Sequence, residues 1–260
     1  QSFQYPFFAG PVGAVSLHYS DAYTDMTYND VLVRACAENG ITAFTGDGTT
    51  NVMTMATKPS GGERLRRAHH QAWNIDTIKA KMEQAKESGC FAVAMDVDAA
   101  GLPFLKNMTP PAGSKSVAEL KEIVALAGKP FIVKGIMTVK GALKAKEQER
   151  PPIVVSNHGG RVLDQCPATA EVLPEIAEAL KDSGVKVLVA AAPLRRVIRK
   201  ALALGADAVL IARPFVTAVY GGGQEGIQAY VSKLQAELAD TMAIAAHTLA
   251  DINRSMLFGF

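Results

Sequence analysis

Between residues 91 and 214 five short apolar runs recur, FAVAMDVD, PFIVKG, IVVSNHGG, VKVLVA and AVLIARP, each separated from the next by a stretch of helical periodicity. A strand that is apolar along its whole length has no wet face. Both faces then need cover, which a parallel sheet wrapped in helices provides. The intervening helices carry their own punctuation. Asn74 can cap a helix with Ile75, Ile78, Met82 and Ala85 on one side, closed by Ser88-Gly89. Ser116 and Glu119 form a capping box ahead of Val117, Leu120, Ile123 and Val124, with Gly128 as the stop. Further helices are expected from Thr138 into KEQER, near Thr169 to Leu180, and from about Leu194 to Leu204. A long amphipathic run follows from Glu225 to Leu249, with Ile227, Val231, Leu234, Leu238, Met242 and Ala245 in one stripe.

The first third is less regular. Tyr5 to Ala9 reads as a first strand ending in the turn Gly10-Pro11-Val12-Gly13, Thr27 to Asn39 as a helix, and ITAFTGDG as a second strand. NVMTMATK admits a helix before Pro59-Ser60-Gly61-Gly62 breaks it. Seven strand–helix units are clear, and an eighth strand is expected near His69 to Trp73. No Gly-x-Gly-x-x-Gly follows the first strand, which argues against a doubly wound open sheet. Polar residues stand instead at the ends of several strands: Asp96 and Asp98, Lys134, Asn157 and His158, and Arg213. That distribution suits an α/β fold of one (β/α)8 TIM barrel spanning residues 1–260, with a long C-terminal helix and its site on the C-terminal face.

Composition narrows the classes. With 48% hydrophobic and 20% charged residues the chain is not disordered. A formal net charge of +2 gives no broad basic field, and ERLRRAHH and LRRVIRK lack the aromatics of a nucleic-acid groove. Cys36, Cys90 and Cys166 share no CxxC, so neither a disulfide framework nor a zinc knot is expected. Cys36 and Cys90 read as small buried hydrophobes in a reducing, cytoplasmic setting. No secretory leader or membrane-length apolar run is evident. The chain opens at QSFQYPFFAG without Met and reads as starting inside a longer protein, lacking N-terminal and loop segments.

The chemistry concentrates at SNHGGRVLD. His158 sits on the lip of a strand, Gly159-Gly160 lets backbone approach a ligand, and Arg161 can grip an anion with two parallel hydrogen bonds. Lys134, directly after Phe131-Ile132-Val133, points an ammonium at the barrel mouth, for an anion, an electron-rich ring or a Schiff base. Asp98 can fix the tautomer of a nearby histidine, and Arg213 can meet a phosphate. His18, His69, His70 and His247 have no such setting, and no metal is assigned.

SNHGGRVLD, PFIVKG, MDVDAAGLPF and ALGADAVLIARPF resemble the FMN-dependent 2-hydroxy-acid oxidases and dehydrogenases, which include lactate oxidase, glycolate oxidase and mandelate dehydrogenase. The resemblance runs from AGPVGA to GGGQEG and implies a flavoprotein that oxidises a small L-2-hydroxy acid such as lactate. It makes His158 the base, with Asp98 paired to it, and Arg161 the carboxylate ligand. It sets Lys134 at the flavin N1/O2 edge and Arg213 at the phosphate, and adds Gln71, Asp96, Pro11 and Val12 to the cofactor's contacts. Trp73 stands where the family has a tyrosine touching substrate. VAAAPLRRVIRK departs from the family's Asp-Gly-Gly loop, with Arg195 or Arg196 in place of its arginine; an N-terminal segment with another substrate-contacting tyrosine is absent. The readings left beside this one are a Lys134 Schiff-base aldolase and a cofactor-impaired, non-catalytic barrel. The resemblance further implies a homo-oligomer, commonly a tetramer; the stripe of the helix from Glu225 to Leu249 either offers a contact surface or packs on the barrel's own outer ring. Oxygen or another electron acceptor is left open, and NAD is not expected to bind.

Overall fold

The structure, a computed structural model, describes residues 2–47, 66–71, 74–98, 101–102, 113–148, 150–191 and 196–259, with backbone alone for 66–71. In chain order the strands are β1 (Phe7–Ala9), β2 (Ala43–Thr45), β3 (Arg66–Gln71), β4 (Ala92–Asp96), β5 (Phe131–Ile136), β6 (Ile153–Val155), β7 (Val187–Ala190) and β8 (Ala208–Ile211). The helices are α1 (Val15–His18), α2 (Asp25–Glu38), α3 (Ile75–Glu87), α4 (Val117–Ala127), α5 (Val139–Lys146), α6 (Thr169–Leu180), α7 (Val197–Ala203) and α8 (Arg213–Ala245). Each strand pairs in parallel with the next, and β8 pairs with β1 to close the ring.

Side-chain parity along the strands divides the core in two. Phe8, Phe44, Ala92, Ala94, Ile132, Val154, Leu188, Ala208 and Leu210 form a cluster made of strand residues alone, which fills the barrel. Their neighbours Phe7, Ala9, Ala43, Val93, Met95, Val133, Ile153 and Val155 face outward into a second cluster shared with the helices. Strand side chains alternate with period 2, so the next inward positions after Ala94 and Ile132 are Asp96 and Lys134. Both are buried. Among the described side chains the barrel is therefore apolar through its body and charged at its C-terminal mouth.

The capping signals act as expected. Asn74 accepts from the Thr77 N–H at 3.0 Å, and Ser116 and Glu119 satisfy each other's backbone N–H groups at 3.2 and 2.8 Å. Gly128 ends α4 with φ 59°. Three elements differ from expectation. The eighth strand lies at Arg66–Gln71 rather than near His69 to Trp73. The short helix α7 starts at Val197, later than the expected Leu194. In α8 an unexpected helical stretch headed by Arg213, directly after β8, precedes the expected C-terminal helix across a non-helical break at Gly222 and Gly223, and that helix ends at Ala245, leaving Leu249 in a 3-10 turn. Its stripe is occupied: Ile227, Val231, Leu234 and Leu238 are all buried in the chain's own core. Of the two readings of that stripe, this is packing on the barrel's own outer ring rather than contact with another copy. The helix expected in NVMTMATK lies outside the described residues.

Candidate functional site

The strand ends bring four charged side chains together. Lys134 Nζ lies 2.5 Å from Asp96 Oδ1, with side chains only 7% and 1% exposed, which makes this an ion pair shielded from water. Adjacent strands β4 and β5 put the two Cα atoms in register, and Gln71 of β3 is the register partner of Asp96 on the other side. Asp98 follows β4 after one residue. Gly135, at φ 101°, makes room for it: a Cβ there would lie 2.6 Å from Asp98 Cγ.

His158 arrives from β6. Its Nδ1 lies 3.4 Å from Asp98 Oδ1 and 3.8 Å from Asp96 Oδ2. A carboxylate only accepts, so hydrogen bonding to Asp98 requires the proton on Nδ1 and leaves the lone pair on Nε2. The ring is held by a left-handed turn: φ is 56° at His158, 72° at Gly159 and 78° at Gly160. Left-handed backbone costs an L-residue roughly 1–2 kcal/mol, and only glycine adopts it freely, so the pair after His158 is needed to complete the turn. The turn is pinned at both ends. The His158 N–H donates to Ser156 Oγ at 3.2 Å, and the Gly160 N–H donates to the Asn157 carbonyl at 2.9 Å.

The two arginines occupy different places. Arg161 is exposed and its Nε donates to the His158 carbonyl at 3.2 Å, bracing the loop. Arg213 heads α8 and reaches across to the same loop, where a Cβ on Gly159 would come within 3.3 Å of its Nη2. Pro11 and Val12 lie half-buried in the turn after β1. Trp73 and Arg195 lie outside the described residues, and for Gln71 only the backbone position is defined. Arg196 is described: its backbone N–H donates to Glu237 Oε2 at 2.8 Å.

Ligand atoms of Asp96, Asp98 and His158 fall within 4.8 Å of one another, a spacing that metals also use. Lys134 already puts a cation on Asp96, which opposes a dication at this spot. The donor set fits an anionic, hydrogen-bonding group instead. The Lys134 ammonium and the Arg213 guanidinium supply two cations, on β5 and just after β8, and Asp98 Oδ2 is a buried oxygen with no hydrogen-bond partner among the described residues. A phosphorylated ring cofactor with a hydroxy acid beside it can meet all three. Sequence reasoning saw Asp96 and Lys134 separately and did not find their ion pair. The signal was there in the matching parity of Ala92-Ala94-Asp96 and Ile132-Lys134.

An α/β barrel with charged side chains gathered at its C-terminal mouth is the class that this fold and site define. A family model described as FMN-dependent dehydrogenase matches residues 103–258. A 2-hydroxyacid oxidase of Dictyostelium discoideum is 40% identical over 143 residues, 54% of this chain and 36% of that protein. An L-lactate dehydrogenase of Xanthomonas axonopodis pv. citri is 32% identical over 247 residues, 86% of this chain and 62% of that one. The chain thus matches less than two thirds of the length of either relative. A solved mandelate oxidase variant with a monooxide FMN adduct superposes with a TM-score of 0.79 at 25% identity, covering 98% of this chain and 79% of the other. The chain belongs to the FMN-dependent dehydrogenase family, whose cofactor is FMN. No helix among the described residues is long and apolar enough to cross a membrane.

Proposed function

We propose that this barrel oxidises a small L-2-hydroxy acid, such as lactate, to the 2-oxo acid. The observation that carries the reading is His158 Nδ1 facing Asp98 at 3.4 Å beside the buried Lys134. When bound, FMN takes the two electrons that leave the hydroxy acid. Lys134 would face its ring edge and Arg213 would hold its phosphate, with Gln71, Asp96, Pro11 and Val12 as the residues that would border it. His158 Nε2 accepts a substrate proton, and Asp98 stabilises the imidazolium that results. Arg161 binds the substrate carboxylate by turning its guanidinium from the loop to the anion, and Trp73 borders the substrate. The Schiff-base alternative has less support, because a lysine held by a carboxylate at 2.5 Å lacks the free lone pair that imine formation needs.

The test is direct. The purified protein, loaded with FMN, is expected to be yellow and to bleach anaerobically on adding L-lactate or a related 2-hydroxy acid. A colourless protein that takes up no FMN refutes the reading. Trapping of a covalent adduct by borohydride in the presence of substrate would favour the aldolase instead.

A further inference from the structure

The Lys134 charge is not presented alone. Asp96 holds it at 2.5 Å in a nearly water-free position, and the other oxygen of the same carboxylate lies 3.8 Å from His158 Nδ1. Asp96 therefore stands between the cation and the base, and belongs to both. Among the described residues, the charged groups at this mouth are Lys134 from β5, Asp98 from just after β4, His158 and Arg161 from the loop after β6, and Arg213 from the start of α8. Asp96 thus faces the buried ammonium and Asp98 faces His158, while Arg161 and Arg213 are exposed to water.

We propose that Asp96 is a positioning residue that holds the Lys134 ammonium and, by sharing its charge, limits how strongly the site favours reduced over oxidised flavin. The inference rests on the FMN reading above and deepens it. The electron balance gives the sign. A hydroxy acid becoming a 2-oxo acid releases two electrons and two protons. The flavin takes both electrons and one proton and so gains one negative charge, while the second proton stays on His158. A lone ammonium at the ring edge would stabilise that added charge in full. A buried carboxylate 2.5 Å from the ammonium cancels much of its field and repels the added charge directly. Asp96 therefore keeps the bound flavin a weaker oxidant, and hence a better donor to whatever re-oxidises it.

The experiment is an anaerobic equilibrium titration of the FMN-loaded protein against a reference dye, which reads the midpoint potential without turnover. Asp96→Asn keeps the shape and removes the charge. It is expected to raise the affinity ratio of reduced to oxidised flavin about 10–100-fold, an upward shift of about 30–60 mV at ~30 mV per tenfold for a two-electron couple. Asp96→Ser gives a second neutral side chain, in case a carboxamide beside the lysine prevents folding, and should shift the potential the same way. Asp96→Glu restores the carboxylate and should return it to within about threefold of the parent ratio, or ~15 mV. If both neutral variants melt lower but keep the parent potential, Asp96 is only a structural partner of Lys134 and the proposal fails. A parent protein that binds no FMN overturns the functional reading first, and this role with it.

Discussion

Lys81 sits on α3 among the apolar residues Ile78, Met82 and Ala85, and its Nζ lies 2.5 Å from Asp47 Oδ1, with side chains 4% and 1% exposed. Replacing it by Met keeps most of the length of the side chain and removes the charge, so a buried carboxylate loses its ammonium partner. Breaking a buried pair from one side costs about 3–5 kcal/mol, whereas replacing both partners with apolar groups is often neutral. For a chain of this size each kcal/mol lowers the melting temperature by roughly 2–4 °C, so Lys81→Met should melt about 6–20 °C below the parent. The double variant Asp47→Leu/Lys81→Met should recover most of that loss. Thermal melts by circular dichroism at matched FMN concentration give the comparison, with urea titration as a second probe. If Lys81→Met melts within about 3 °C of the parent, or the double variant is worse than the single, the pair does not carry the uncompensated-charge penalty assigned to it.

The same corner supports a further prediction. A Cβ on Gly46 would lie 2.1 Å from the Val12 carbonyl oxygen, and one on Gly13 would lie 2.4 Å from the Asp47 carbonyl oxygen, so the turns after β1 and β2 meet backbone to backbone. Gly46→Ala must push them apart, at about 1–3 kcal/mol, and should weaken FMN binding measured by fluorescence quenching; unchanged affinity and melting would contradict that contact. His158→Gln removes the proton acceptor while keeping polarity, so FMN content should persist while kcat falls about 10²–10⁴-fold. Near-parental kcat on every 2-hydroxy acid the parent oxidises would sink the assigned base. Arg161→Met should raise KM and lower kcat/KM by an amount equivalent to about 2–5 kcal/mol, because it deletes the guanidinium opposite the substrate carboxylate. A parallel loss of melting temperature with no change in KM would assign Arg161 to the loop brace alone.

The strand periodicity was enough to read the mouth of this barrel. Asp96 and Lys134 end strands whose inward residues are Ala92, Ala94 and Ile132, and period 2 carries that face outward to the charges. Lys81 shows the limit of the same logic. A lysine three residues after Ile78 on an amphipathic helix reads as a solvated flank, and what draws it inside is Asp47, 34 positions earlier and on another element. Helical period reports which residues share a face, but not which distant carboxylate lies over that face. The glycines of GGGQEG act as punctuation should: Gly222 and Gly223 are non-helical, and the expected C-terminal helix follows them. What the sequence reading missed is the helix before that break, headed by Arg213, where Phe215, Val216 and Val219 are buried.

The loop after β6 unites what was legible with what was not. Gly159-Gly160 announces a tight turn, and the turn forms, but it turns left-handed already at His158. That reversal brings the imidazole to the carboxylates at the end of β4, while Arg161 braces the His158 carbonyl and Arg213 lies beside Gly159, both exposed. Two guanidiniums therefore meet at one loop. Gly159 is the residue that permits it, since any Cβ there has to contend with Arg213 as well as a positive φ. A motif that reads along the chain as base, spacer and clamp is thus, in three dimensions, a base facing two carboxylates, with two exposed guanidiniums, Arg161 and Arg213, beside its loop.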